Sequence, residues 1–92
     1  MPMSNRLISQ TLLQVARSLG RERNLYRQRA YRQAALMIQG LDEPVSEIIK
    51  TKGRFALAVI PGIGDHIAYT IDMLLKTGKV IMWSERSQAA VA

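Results

Sequence analysis

The sequence predicts an all-α fold, a small single-domain bundle of four to five helices that ends in two helices joined by a tight glycine turn. Three observations lead there. Apolar residues recur at three- and four-residue spacings through most of the chain, which is the period of a helix with one buried stripe. Capping residues and glycines punctuate that pattern at helix-length intervals. Stretches that could be strands, such as Ala58-Val59-Ile60, are short and cut by Pro61, which cannot donate to a sheet ladder.

The first helix starts at Ser4 or Asn5, either of which can cap it. Ile8, Leu12, Val15, Ala16 and Leu19 form its inner stripe, and Gly20 is expected to end it as a C-terminal glycine. Asn24 opens the second helix, in which Tyr26, Ala30, Ala34, Met37, Ile38 and Leu41 fall on one side up to about Gly40. Asp42-Glu43-Pro44 reads as a restart, with an acidic cap and Pro44 in the first turn, where a missing N–H is harmless. A short third helix carries Val45, Ile48 and Ile49 and stops near Gly53. A fourth piece covers 54–60, and Pro61-Gly62-Ile63-Gly64 breaks the chain before a last helix with Ile67, Ala68, Ile71, Leu74 and Leu75 on one face, closed by Gly78. Residues 1–83 are expected to form the domain and 84–92 a fraying tail.

Composition narrows the function. The chain has 92 residues, thirteen Lys plus Arg against seven Asp plus Glu, and a net charge of +6, so one basic domain should favour a polyanion. No cysteine is present, which excludes thiolate catalysis, disulfides and cysteine metal sites. His66 is the single histidine, too few for the common zinc sites. The apolar runs fall far short of the roughly 20 residues that cross a bilayer, and the N-terminus lacks the apolar core of a secretory signal. The expectation is a cytoplasmic protein, nucleoid-associated in a bacterium, with no membrane partner.

The glycine turn is the most informative segment. Gly62 and Gly64 flank Ile63, so the backbone can turn sharply with positive φ and no Cβ in the way of an approaching surface. The N–H groups that follow open a helix, whose dipole favours an anion there. Ile63 should point back between the two helices while Ala68 lets them pack closely. Pro61-Gly62-Ile63-Gly64, with Ile67, Ala68, Ile71 and Leu74 at those spacings, resembles the helix-hairpin-helix DNA-binding motif. Upstream, Asn24 to Ala35 resembles the second-helix signature of the N-terminal, lyase-type domain of family X DNA polymerases. Val45 to Ile49 and Leu75-Lys76-Thr77-Gly78 are similar as well, whereas no polymerase domain fits in the remaining length.

The resemblance implies a domain that grips a 5′ phosphate at gaps in DNA, in DNA repair, through Gly62, Ile63, Gly64, Asp65, His66, Ile67 and Thr70. It places Arg27 at a phosphate-pocket position and Tyr26 where an aromatic stacks on an unpaired base. It also implies that the carbonyls of Ala58, Ile60 and Ile63 can hold a monovalent cation, Na+ or K+, bridging to a phosphate. The family's lyase activity uses a lysine that forms a Schiff base with a sugar aldehyde. That lysine position, on the outward side of the last helix, is Thr70 here, and Arg27 does not deprotonate usefully, so no catalytic residue is assigned.

Six of the thirteen cations, Arg17, Arg21, Arg23, Arg27, Arg29 and Arg32, crowd near one helix junction. A charge run is commonly a solvated face; beside a phosphate-binding turn, Arg27, Arg29 and Arg32 are expected to support DNA contact. Two alternatives stay open. One is a residual 5′-deoxyribose-phosphate or abasic-site lyase using Lys50, Lys52, Lys76 or Lys79. The other is a protein-interaction module, a homodimer or a DNA grip for a separately encoded repair or polymerase subunit, through Val80, Ile81, Met82 and Trp83.

Overall fold

Two helices folded back on each other form the platform for everything that follows. The computed structural model describes residues 3–82, so Trp83 and the expected tail lie outside the described residues. Helix α1 (Asn5–Arg21) and α2 (Leu25–Gln39) make the largest interhelical contact of the molecule. Helices α3 (Val45–Lys52), α4 (Arg54–Ala58) and α5 (Gly64–Thr77) follow, each packed on its sequence neighbour. Among the described residues no strand occurs.

Ser4 caps α1, its hydroxyl accepting from the Leu7 N–H at 3.1 Å. Asn5, the other candidate, works across the chain: its Nδ2 donates to the Glu43 carbonyl at 2.9 Å and its Oδ1 accepts from the Val45 N–H at 2.8 Å. It therefore caps α3, whose own N-cap is Pro44, with no side-chain cap bond. The acidic cap expected before Pro44 is corrected on that point, and Pro44 stands just outside the first turn.

Gly20 is corrected as well. It lies inside α1, where a Cβ would stand 2.6 Å from Nε2 of Gln28, the mobile end of a side chain that can shift. The helix ends one turn segment later in a Schellman arrangement, with Asn24 N–H on the Leu19 carbonyl at 3.0 Å and Arg23 N–H on the Gly20 carbonyl at 3.1 Å. The left-handed residue this motif requires is Arg23, with φ 61°. A buried hydroxyl completes the platform: Ser9 donates to the Ala35 carbonyl at 2.9 Å.

The core is one cluster running from Ile8, Leu12 and Ala16 of α1 through Tyr31, Ala34, Ala35 and Ile38 of α2 to Leu57, Ile63, Ile67, Ala68 and Ile71. Fully burying an aliphatic side chain of this size contributes about 1.5–3 kcal/mol. Tyr26 and Met37 depart from the expected inner stripe of α2, being 86% and 37% exposed, because the buried stripe runs through Tyr31, Ala34, Ala35 and Ile38. The fourth helix stops at Ala58, two residues short of the expected end, as the backbone tightens into successive turn bonds, Val59 N–H to Phe55 O and Ile60 N–H to Leu57 O. Met82 packs against the core and Val80 is exposed, so the expected apolar end is in part already used.

Arg23 stores backbone strain at a position that favours glycine, of about 1–2 kcal/mol for a left-handed L-residue. Arg23→Gly is expected to stabilise the fold by about 1 kcal/mol after glycine's extra chain entropy is deducted. Urea unfolding checks this; a variant less stable than the parent would contradict the assignment.

Candidate functional site

The hairpin turn has the conformation its glycines predict. Gly62 has φ 91° and Gly64 φ 73°, values that a side chain with a Cβ adopts only with strain. Between them Ile63 is turned into the core and buried, and its N–H closes the turn on the Ile60 carbonyl at 3.0 Å. Gly62 also sits against α2: a Cβ on it would lie 3.0 Å from Cγ of Met37. The turn is thus pinned from inside by Ile63 and from the side by Met37.

Helix α5 begins at Gly64, and its N-cap is Ile63, which offers no side-chain acceptor to the first-turn N–H groups. The amino end of the helix carries a partial positive charge. Asp65 sits in the first turn and forms no side-chain cap. Its carboxylate favours the helix end by about 0.3–1 kcal/mol and opposes a second anion beside it. What Asp65 can offer a phosphate is its N–H.

Helix α2 is brought to the same place by one hydrogen bond. Thr70 is fully buried, and its hydroxyl donates back to the His66 carbonyl at 3.1 Å. With its one hydrogen so used, Thr70 Oγ1 accepts from the Tyr31 hydroxyl at 2.9 Å. The expectation that position 70 faces outward is therefore corrected: the helix turns it inward, onto α2. Ile67 is likewise buried, so any contribution from Ile63 and Ile67 to binding comes from the backbone.

The result is a cleft of about 330 Å³ between the start of α5 and the start of α2, with Gly64, Asp65 and His66 on one wall and Tyr26, Arg27 and Ala30 on the other. Tyr31 and Ile63 floor it. The Asn24 side chain accepts from the Arg27 N–H at 3.3 Å and so fixes where α2, and Arg27 with it, begins. Of the three arginines expected at the site, only Arg27 lines this cleft; Arg29 and Arg32 line separate grooves on α2. The carbonyl of Ile60, one of the three expected cation ligands, already accepts the Ile63 N–H and keeps one lone pair.

The family model for the helix-hairpin-helix domain matches residues 3–80. The chain belongs to this family. Comparison with curated proteins and with solved structures gives no match. The matched span takes in all five helices of the helix-hairpin-helix domain and both walls of the cleft.

Two contributions were not expected from sequence. Met82, beyond the last helix, lines the cleft beside Ile67. On the other flank of α5, the Arg54 guanidinium stands 5.3 Å above the Tyr69 ring and 3.5 Å from the buried Asp72 carboxylate, which also takes Lys76 at 3.1 Å. These pairs tie α4 to α5 behind the hairpin. The Asp72–Lys76 spacing of four on one helix was a readable signal; the reach of Arg54 from another helix was not.

Burial raises the Tyr31 phenol above the usual value of 10.0, while its bond to Thr70 and the nearby Arg27 guanidinium pull the other way. The folded state thus prefers the neutral phenol. Its contribution to stability is complete below the ordinary tyrosine value and is lost as pH rises through the folded one. Tyr31→Phe is expected to cost about 1 kcal/mol at neutral pH and to flatten the alkaline loss of stability. Denaturant unfolding from neutrality to pH about 11 measures both; an identical alkaline slope in the two proteins would exclude Tyr31 as its source.

Proposed function

We propose that this helix-hairpin-helix domain binds DNA without reading sequence, holding the phosphate backbone at gaps, nicks or single-stranded junctions and taking a terminal 5′ phosphate into the cleft. Helix-hairpin-helix domains are generally nucleic-acid binding, and the family match supports that class. The observation that carries the specific reading is the convergence of the uncapped amino end of α5 with Arg27 and the exposed Tyr26 in one cleft. N–H groups and a helix dipole take the phosphate oxygens, a guanidinium forks onto them, and an exposed ring stacks on the adjoining unpaired base, worth roughly 1–3 kcal/mol. Contacts of this kind hold any sequence equally, since none addresses a base edge.

The hairpin carbonyls of Ala58, Ile60 and Ile63 are neutral oxygen donors of the class that takes a hard monovalent cation. A Na+ or K+ ion held there would offset phosphate charge. No lysine is among the residues lining the cleft, so the cleft as described supplies binding groups and no amine for Schiff-base chemistry. A place in DNA repair, alone or beside a separately encoded catalytic subunit, is consistent with the resemblance to family X polymerase N-terminal domains.

Gly64→Asp puts a side chain and a negative charge at the mouth of the cleft; nothing crowds a Cβ there, but the φ of 73° strains it, so thermal melting is used to confirm that the variant is folded. It is expected to lower affinity for 5′-phosphorylated gapped duplex at least tenfold, a loss of about 1.4 kcal/mol, with unchanged helical circular dichroism. The parent should prefer the phosphorylated gap to the same gap ending in a hydroxyl. Undiminished binding by Gly64→Asp would overturn the hairpin as the site.

A further inference from the structure

Arg17, Arg21, Arg29 and Arg32, which do not line the cleft, occupy two shallower grooves that continue from it around α2. The cleft shares Tyr26 and Ala30 with a groove over the outer face of α2 that holds Arg29, and this groove shares Leu25 with a third, between α1 and α2, that holds Arg17, Arg21 and Arg32. At about 100° per residue, Arg27 stands in line with the buried Tyr31 stripe, Arg29 faces directly outward, and Arg32 lies further round on the α1 side. The track therefore wraps more than half the circumference of one helix.

Beyond the cleft, which Asp65 enters, its chemistry is uniform. No carboxylate lines either of the two further grooves. The ion pairs among the described residues are those of Arg54 and Lys76 with Asp72, so Arg17, Arg21, Arg29 and Arg32 face solvent without an acidic partner. Large apolar side chains lie exposed among them, Tyr26 and, at 64%, Leu25. Unpaired cations alternating with exposed apolar surface match a ligand that is itself an alternation of phosphates and flat bases. A duplex is too stiff to follow a curve around a helix about 10–12 Å across, given a persistence length of about 50 nm.

We infer that a single strand anchored in the cleft continues over α2 into the α1–α2 groove, where Arg17, Arg21 and Arg32 hold further phosphates. This rests on the cleft reading and extends it from an end-binding site to a footprint on the order of six nucleotides, within the range of about 4–16 for single-strand-binding folds.

The test is a ladder of 5′-phosphorylated oligothymidylates from about three to about fifteen nucleotides, titrated against the parent and against Arg17→Gln/Arg32→Gln. Both positions are exposed, and thermal melting confirms that the variant is folded. The parent's affinity should rise with length beyond the shortest strands and then level off. The double variant should match the parent on the shortest strands, lose about tenfold on the longest, and show a salt slope there shallower by about 1.4, the value for two phosphate contacts on a single strand. Equal affinity of the two proteins for long strands, or an equal loss at every length, overturns the track. So does poly-glutamate that binds the parent as tightly as the long strand and is lost in the same variant, which would assign the groove to an acidic protein. Failure of the cleft reading has a different signature: the shortest phosphorylated strands would not bind, or would bind Gly64→Asp as well as the parent.

Discussion

The hydrogen bond from the Tyr31 hydroxyl to Thr70 is the contact on which the site depends, because it holds the second helix to the last one deep beneath the cleft. Both partners are buried; Thr70 keeps its bond to the His66 carbonyl, whereas a Tyr31 hydroxyl left unpaired would carry the desolvation cost of a polar group, about 1–3 kcal/mol. From that fixed point the geometry follows outward. Arg27 lies one turn before Tyr31 and His66 one turn before Thr70, and both line the cleft above that bond. Ile63 and Ile67 fill the space underneath, and Met37 stops Gly62 from the side.

The electrostatics of the cleft are built mostly from backbone. The amino end of α5 supplies a partial charge and N–H groups whose directions are set by the helix, and Arg27 adds one full charge. Asp65 subtracts from this total at short range. In the proposed reading a phosphate is held by geometry more than by net charge, while Arg17, Arg21, Arg29 and Arg32 stand apart on the outer face of α2 and in the α1–α2 groove, where they do not crowd the cleft.

Much of this was legible in the sequence, and the physical reason is locality. The two glycines, the apolar residue between them and the period of the following helix are short-range features, and the structure has the turn, the positive φ angles and the inward Ile63 that they predict. Ser4, Asn24, Gly53 and Gly78 mark helix ends for the same reason. What failed required knowing which helix lies against which. Gly20 looked like a helix stop until Gln28 came within reach of it, and Asn5 looked like a cap for its own helix until it bonded to Val45. Thr70 was placed outward by analogy with a lysine position, but a small hydroxyl facing Tyr31 is held in the core. Tyr26 was placed inward by a spacing that Tyr31 satisfies better. The arginine block reads as one patch in sequence, and the helical turn of α2 deals Arg27, Arg29 and Arg32 to three different surfaces.

In the proposed function the amino end of α5 and the start of α2 act together as one phosphate site. A two-dimensional 15N–1H NMR titration with a short 5′-phosphorylated single strand tests it most directly. The largest shifts are expected on the amides of Gly64, Asp65, His66 and Ile67 together with those of Tyr26 and Arg27, and they should shrink when the strand ends in a hydroxyl. Shifts centred on α3 and α4, or a pattern indifferent to the terminal phosphate, would contradict it.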